Sequence, residues 1–124
     1  MPFTRISLHR GKSAEYLQAL SQGVHDAMVE SFEVPGADRF QVIHQHEVGE
    51  LIFDPDYLGG PRSHDFVLIA ITAGRSRSIE TKQGFYRNLV AKLKRATGLN
   101  EEDVMVVITT TATEEWSFAG GRGN

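Results

Sequence analysis

Shifted against itself by 65 positions, the distance from Ser13 to Ser78, the sequence matches its own second half without a gap. Ser13 falls on Ser78, Asp38 on Asp103, Phe40 on Met105, Val42 on Val107 and Ile43 on Ile108. At the same shift Ile6 meets Ile71, Val24 meets Leu89, Met28 meets Leu93, Arg10 meets Arg75 and Lys12 meets Arg77. The likeness runs over residues 2–46 against 67–111. Such self-similarity means that one supersecondary unit is used twice, which restricts the chain to folds that two copies can build together.

Each copy has the same order: short apolar strand, basic turn, Ser-headed amphipathic helix, acidic turn, second apolar strand. In the first, Leu17, Leu20, Val24, Ala27, Met28 and Phe32 recur at three- and four-residue steps, the spacing of one helical face. Ser13 is placed to cap this helix and Pro35-Gly36 to stop it. In the second, Ile79, Tyr86, Leu89, Val90, Leu93 and Ala96 form the face, with Ser78 at its head and Gly98 where a left-handed residue ends a helix. The strands are expected at 2–8, 39–46, 66–73 and 104–111. The predicted fold is therefore α/β (α+β): tandem β-α-β units forming one four-stranded mixed sheet, with right-handed crossovers putting both helices on one face. Residues 1–124 make a single domain, with 47–64 as connector and 112–124 as a loop-like tail. The third strand, Phe66 to Ile71, is apolar throughout and reads as buried on both sides. Val67, Ile69, Ile71, Val104, Val106 and Ile108 read as covering both strand parities, so the helix-free face is expected to be apolar and covered by oligomerisation.

Composition removes several classes. A chain of 124 residues that is 40% hydrophobic and 23% charged has enough apolar surface for one core. A net charge of -3 argues against nucleic-acid and membrane-surface partners and leaves small anions. Without cysteine there is neither a disulfide framework nor a thiolate site, and no window has signal-peptide or membrane-spanning character, so a cytoplasmic location is the expectation.

Proline follows the initiator. Removal of Met1 before a small residue would leave Pro2 as a free secondary amine, able to act as base, nucleophile or proton donor. Its equivalent Val67 is an interior amide, so one reactive site per chain follows. Arg75 and Arg77 stand at the head of the second helix, and their planar donor forks suit a small carboxylate. Structural alternatives stand beside these readings. Pro2 can simply begin a strand, where its missing N–H is harmless. Asp38 can be a turn residue, as Asp103 is expected to be. The arginine pair can be a solvated turn or a phosphate site at a helix start. Trp116 and Phe118 can be core or interface aromatics.

Pro2, the segment Val34-Pro35-Gly36-Ala37-Asp38-Arg39-Phe40-Gln41-Val42, the Arg75-Ser76-Arg77 pair and Trp116-Ser117-Phe118 together resemble the tautomerase superfamily, and within it malonate semialdehyde decarboxylase. The resemblance covers nearly the whole chain. It implies a homotrimer without cofactor or metal. It implies Pro2, Asp38, Arg75 and Arg77 as catalytic residues, and an apolar pocket wall from Trp116 and Phe118 beside the carboxylate-binding arginines.

A cationic Pro2 could hydrogen-bond to, or form an iminium with, the carbonyl of a 3-oxo acid and so take up the electrons left by departing carbon dioxide. A neutral Pro2 would be a base for keto-enol tautomerisation. An α-amino group titrates at about 7.7–8.0; a neighbouring Asp38 raises that value and the arginines lower it. The presence of Asp38 favours the acid, hence a decarboxylase, with hydratase chemistry open to it. The alternatives are a phenylpyruvate- or oxalocrotonate-type tautomerase, or a non-catalytic oligomeric small-acid binding protein. Arg10 and Lys12 echo the arginine pair, either as a vestige or as a contribution across a subunit boundary. His44 and His46 share a strand face at metal-compatible spacing but lack a recognisable third ligand. His25 is expected at a helix edge. The adjacent Ser63-His64-Asp65 is no argument for a triad. Gly120-Gly121-Arg122-Gly123 follows no strand-to-helix pattern and reads as a mobile tail or pocket cover.

Overall fold

Two strand–helix–strand units build the molecule, and the computed structural model describes residues 1–124. The first is β1 (Pro2–His9), α1 (Ala14–Phe32) and β2 (Gln41–His46); the second is β3 (Val67–Ala73), α2 (Ile79–Thr97) and β4 (Val104–Thr110). The strands form one mixed sheet in the order β2-β1-β3-β4. β1 and β2 run parallel, as do β3 and β4, while β1 and β3 are antiparallel at the centre. The register repeats as well: Thr4 pairs with Gln41, and Ile69 with Val106, their equivalents one copy later. Arg5 pairs with Ala70, its own equivalent, so an approximate two-fold axis passes between them.

Local chemistry sets the helix limits. Ser13 and Ser78 accept hydrogen bonds from the backbone N–H groups of Tyr16 and Thr81, satisfying one otherwise orphaned donor at each helix start. Gly98 ends α2 at φ 77. α1 stops earlier than Pro35-Gly36 suggests: Glu33 takes the left-handed C-cap position at φ 56, and its N–H reaches the Met28 carbonyl. The α2 face is also rotated from the expected one. Phe85, Leu89 and Leu93 are fully buried, whereas Ala96 is exposed and Ile79, the first residue of the helix, is 67% exposed. The helices cross closely at Gly23, where an added Cβ would lie 2.9 Å from Leu93 Cδ2.

The core lies between the helices and one sheet face, with Ile6, Leu8, Val67, Ile69 and Ile71 supplied by the strands. Val104, Val106 and Ile108 pack on this same side, in register with Val67, Ile69 and Ile71. They therefore do not represent the opposite parity. The helix-free face is mixed instead of apolar: Leu68, Ala70, Met105, Val107 and Val42 share it with Arg5, Ser7 and His44, all half-buried or exposed in the single chain, so β3 is fully buried on one side only. His25 is buried rather than at a helix edge; its Nε2 donates to the Gly36 carbonyl at 2.9 Å and ties the loop after α1 to the helix. No helix is long and apolar enough to cross a membrane.

Candidate active site

The sheet topology gathers the amino terminus and the ends of the other three strands at one edge. Pro2 is buried and pairs with Ala73, and beyond this pair the Met1 carbonyl accepts from Gly74 N at 2.9 Å. An added Cβ at Gly74 would lie 2.8 Å from Met1 Cβ, so this close approach requires glycine. Arg75 and Arg77 follow directly. Asp38 arrives from the opposite side, on a turn closed by its own N–H donating to the Pro35 carbonyl at 2.9 Å. Its carboxylate sits 2.9 Å from the Met1 amine.

The arginines are organised by the carbonyl end of α1. Arg75 Nη2 and Arg77 Nη2 both donate to the Phe32 carbonyl at 3.4 Å, the end of the helix that carries partial negative charge. Arg77 Nη1 also reaches the Arg75 carbonyl at 3.1 Å, and its guanidinium lies 4.5 Å from the centroid of Phe32, which stacks on Phe85. Burial, and secondarily the Arg75 charge, push the Arg77 guanidinium below its ordinary value. Its Nε is buried without a partner, and neither arginine is paired with a carboxylate. Two cations so placed, one of them partly desolvated, form a strong attractor for a small anion.

The aromatic residues come from the tail. Trp116 Nε1 donates to Thr111 Oγ1 at 2.7 Å, and that hydroxyl donates to the Ala73 carbonyl at 2.9 Å. Trp116 is thereby tied to the strand end that bears Gly74 and Arg75. Phe118 stacks on Trp116 with centroids 5.5 Å apart and meets Phe40 at 5.8 Å. At the end of the tail Asn124 donates to Met1 Sδ at 3.1 Å, so the tail returns to the amino terminus. Pro2, Asp38, Arg75, Arg77 and Trp116 are thus joined through the Met1–Gly74 and Ala73–Thr111 contacts, with Phe118 stacked on Trp116. Phe32, Gly74 and Thr111 belong to the same constellation without having been nominated from sequence. For Gly74 the available signal was a glycine directly before the basic turn.

The echo of the arginine pair has a different fate. Arg10 Nε is 2.9 Å from Glu47 Oε1, and Lys12 is bound by Asp65, so both cations are neutralised within the chain. The hydrogen bond that Lys12 donates to Asp65 outweighs the opposing effect of burial and raises the Lys12 pKa. Ser63, His64 and Asp65 serve separate partners: Ser63 Oγ donates to Asp103, His64 stacks on His9, and Asp65 binds Lys12. His44 and His46 lie with ring centroids 6.3 Å apart.

A β-α-β unit used twice around a pseudo-two-fold, with a proline opening one central strand and two arginines following the strand paired with it, points to a class, and comparison agrees. Residues 38–119 match one family model described as a tautomerase enzyme, and residues 2–60 match a second of the same description. The chain belongs to the tautomerase family. It is 38% identical over 122 residues to "Probable tautomerase YusQ" of Bacillus subtilis (strain 168), covering 98% of this chain and 96% of that one. "Probable tautomerase YrdN" of the same organism is 35% identical over 121 residues, with 98% and 93% covered. Among solved structures, malonate semialdehyde decarboxylase, described with decarboxylase and hydratase activities, superposes with a TM-score of 0.91 at 35% identity, covering 97% of this chain and 92% of that one.

Proposed function

We propose that the chain is a cofactor-independent decarboxylase of small 3-oxo acids, working as a homotrimer through Pro2 once Met1 has been removed. The observation that carries this reading is the Asp38 carboxylate held 2.9 Å from the chain's amino group, one residue from the proline and on the edge that bears Arg75. With Met1 absent, the Pro2 nitrogen becomes the terminal amine, and a carboxylate in its vicinity favours the protonated form.

In the proposed reaction Arg75 and Arg77 hold the substrate carboxylate, and protonated Pro2 donates to the 3-oxo oxygen. The bond between C2 and the carboxyl carbon breaks, its electron pair forms the C2–C3 double bond, and the carbonyl π electrons move to oxygen, which takes the Pro2 proton. Carbon dioxide leaves and the enol returns to the aldehyde by gaining a proton at C2 and losing one from oxygen. Binding to the intact carboxylate alone stabilises the ground state, so the arginines contribute by orientation while Pro2 carries the charge that develops. Trp116 and Phe118 supply an apolar wall that disfavours water beside the departing neutral gas.

A keto-enol tautomerase is the second reading, favoured by the names of the two Bacillus subtilis relatives. Assembly is supported by the helix-free face, where Met105 and Val107 on β4, and Val42 on the far side of Arg5, expose apolar side chains to water in the single chain.

The test is Pro2→Ala, with amino-terminal processing of both proteins verified by mass spectrometry, assayed for carbon dioxide release from malonate semialdehyde and for enolisation of phenylpyruvate. Loss of carbon dioxide release on substitution is expected. Turnover that survives the substitution refutes a proline mechanism, and a protein that binds small acids with no turnover in either assay leaves a binding protein.

A further inference from the structure

Asp38 stands on a turn that apolar packing does not hold. Pro35, Gly36, Ala37 and Arg39 are exposed, and Val34 is the last buried residue before β2. What reaches the turn is a polar face of α1. His25 Nε2 donates to the Gly36 carbonyl at 2.9 Å, and Arg39 donates to Gln22 Oε1 at 2.9 Å and to Ser21 Oγ at 2.8 Å. Asp38 lies between these two anchors. Arg39 and Gln22 are exposed, whereas His25 is only 6% exposed, so its bond is the one shielded from competing water.

The repeat supplies an internal control. The same turn occurs in the second copy, where Asp103 N–H donates to the Asn100 carbonyl at 3.0 Å as Asp38 N–H does to that of Pro35 at 2.9 Å. There Asn100 Oδ1 accepts from Glu102 N–H at 2.9 Å and closes the turn from within. Pro35, at the position of Asn100, has no side-chain acceptor to do this. The position of His25 is taken by Val90, which has no donor. A histidine on the helix is therefore found only in the copy whose aspartate meets the chain's amino group.

We infer that His25 is a positioning residue: its bond to the Gly36 carbonyl sets where the Asp38 carboxylate stands, and through that carboxylate the protonation of the Pro2 amine. This rests on the reading of Asp38 and Pro2 as partners once Met1 is removed.

Three variants test it, each with removal of Met1 verified by mass spectrometry. His25→Leu fills the space without a donor, His25→Asn carries an amide too short for the carbonyl, and His25→Gln carries one at the reach of Nε2. If the leucine protein does not fold, the asparagine and glutamine pair carries the comparison. The Pro2 nitrogen is followed by NMR in protein labelled with ¹⁵N-proline, where it alone titrates, the other three of the four prolines being amides. The charges brought to this end are Asp38 on the turn, Arg75 and Arg77 after β3, and the terminal carboxylate of Asn124, whose side chain reaches Met1, Arg39 being bound to α1. All are kept in the three variants. Displacing Asp38 lowers the pKa of the amine, whereas losing a positive charge on His25 itself would raise it, so the sign identifies the cause.

The expected result is that His25→Leu and His25→Asn lower the amine pKa, as Asp38→Asn does, and reduce kcat for carbon dioxide release about tenfold. KM changes little, because Arg75 and Arg77 are organised from the Phe32 carbonyl. His25→Gln retains both values, and in an Asp38→Asn background His25→Leu or His25→Asn adds no further loss. An amine pKa unmoved or raised in His25→Asn, a glutamine protein that behaves like the asparagine one, or an additive loss in the Asp38→Asn background overturns the inference. The two readings fail separately: a lowered amine pKa in a protein that releases no carbon dioxide refutes the decarboxylase and upholds the role of His25, and a proline-dependent decarboxylase indifferent to His25 does the reverse.

Discussion

Replacing Arg77 by methionine separates a side chain held for chemistry from one held for the fold. The lost contacts are weak: a cation–π contact of about 0.5–1 kcal/mol with Phe32, and bonds to the Phe32 carbonyl at 3.4 Å and the Arg75 carbonyl at 3.1 Å, the first beyond the usual N–H···O range. The Phe32 carbonyl keeps Arg75 as a donor. Against this, methionine removes a partly desolvated cation, its repulsion by Arg75 and a buried Nε without a partner, the last costing about 1–3 kcal/mol. The methionine side chain also continues to cover the Phe32 ring. The terms nearly cancel, so urea unfolding should give a stability within about 1 kcal/mol of the parent. A substrate carboxylate losing one charge-assisted pair loses about 1.5–3 kcal/mol, or roughly 10- to 150-fold in kcat/KM for malonate semialdehyde, with KM carrying more of the change than kcat. Destabilisation well above about 2 kcal/mol would mark Arg77 as structural, and an unchanged kcat/KM would remove it from the site.

The two equivalent aspartates should respond in opposite ways. Asp38→Asn removes the charge beside the terminal amine and should lower kcat/KM by about tenfold or more with little loss of stability, measured by carbon dioxide release and thermal melting. Asp103→Ala removes a buried carboxylate that accepts two hydrogen bonds from Ser63 and should cost about 1.5–3 kcal/mol in urea unfolding while kcat of the folded fraction persists. Gly23→Ala forces a methyl against Leu93 at 2.9 Å and should destabilise by about 1–3 kcal/mol, read by thermal melting, without altering kcat. Lys12→Met removes a cation whose pKa is raised in the folded state. Its contribution is fully present below about pH 10.4 and is lost as the pH rises through the folded-state value. Because Asp65 is half-exposed and screened, the difference from the parent should be at most about 1 kcal/mol at neutral pH and vanish in strongly alkaline urea titrations.

The repeat made the architecture readable because it appears in residue types: serine caps, apolar steps and strand order recur in both halves, and the strand register follows the same offset. Phase was harder to read. The choice between Tyr86 and Phe85 as the inward residue of α2 rotates the helix by 100°, and spacing alone did not exclude the solvent-facing Ile79 and Ala96. Strand parity between β3 and β4 needed the register itself, since Val67 and Val104 differ in numerical parity yet lie side by side. At the candidate site, residues with distinctive chemistry could be nominated from sequence. Phe32 acts through its backbone carbonyl, Gly74 through the absence of a side chain and Thr111 through a relay to Trp116, and of these only Gly74, directly before the basic turn, leaves a trace in the sequence.

The central β1–β3 pair couples segments far apart in the chain. During synthesis the first strand, helix and second strand can leave the ribosome and assemble while the inner edge of β1 still lacks its neighbour. Until Ala73 has emerged, that edge offers unpaired amides and carbonyls to any passing strand. Closure must wait for a loop of some tens of residues, which favours slow folding and makes nascent chains halted in the connector the species most prone to stick to one another.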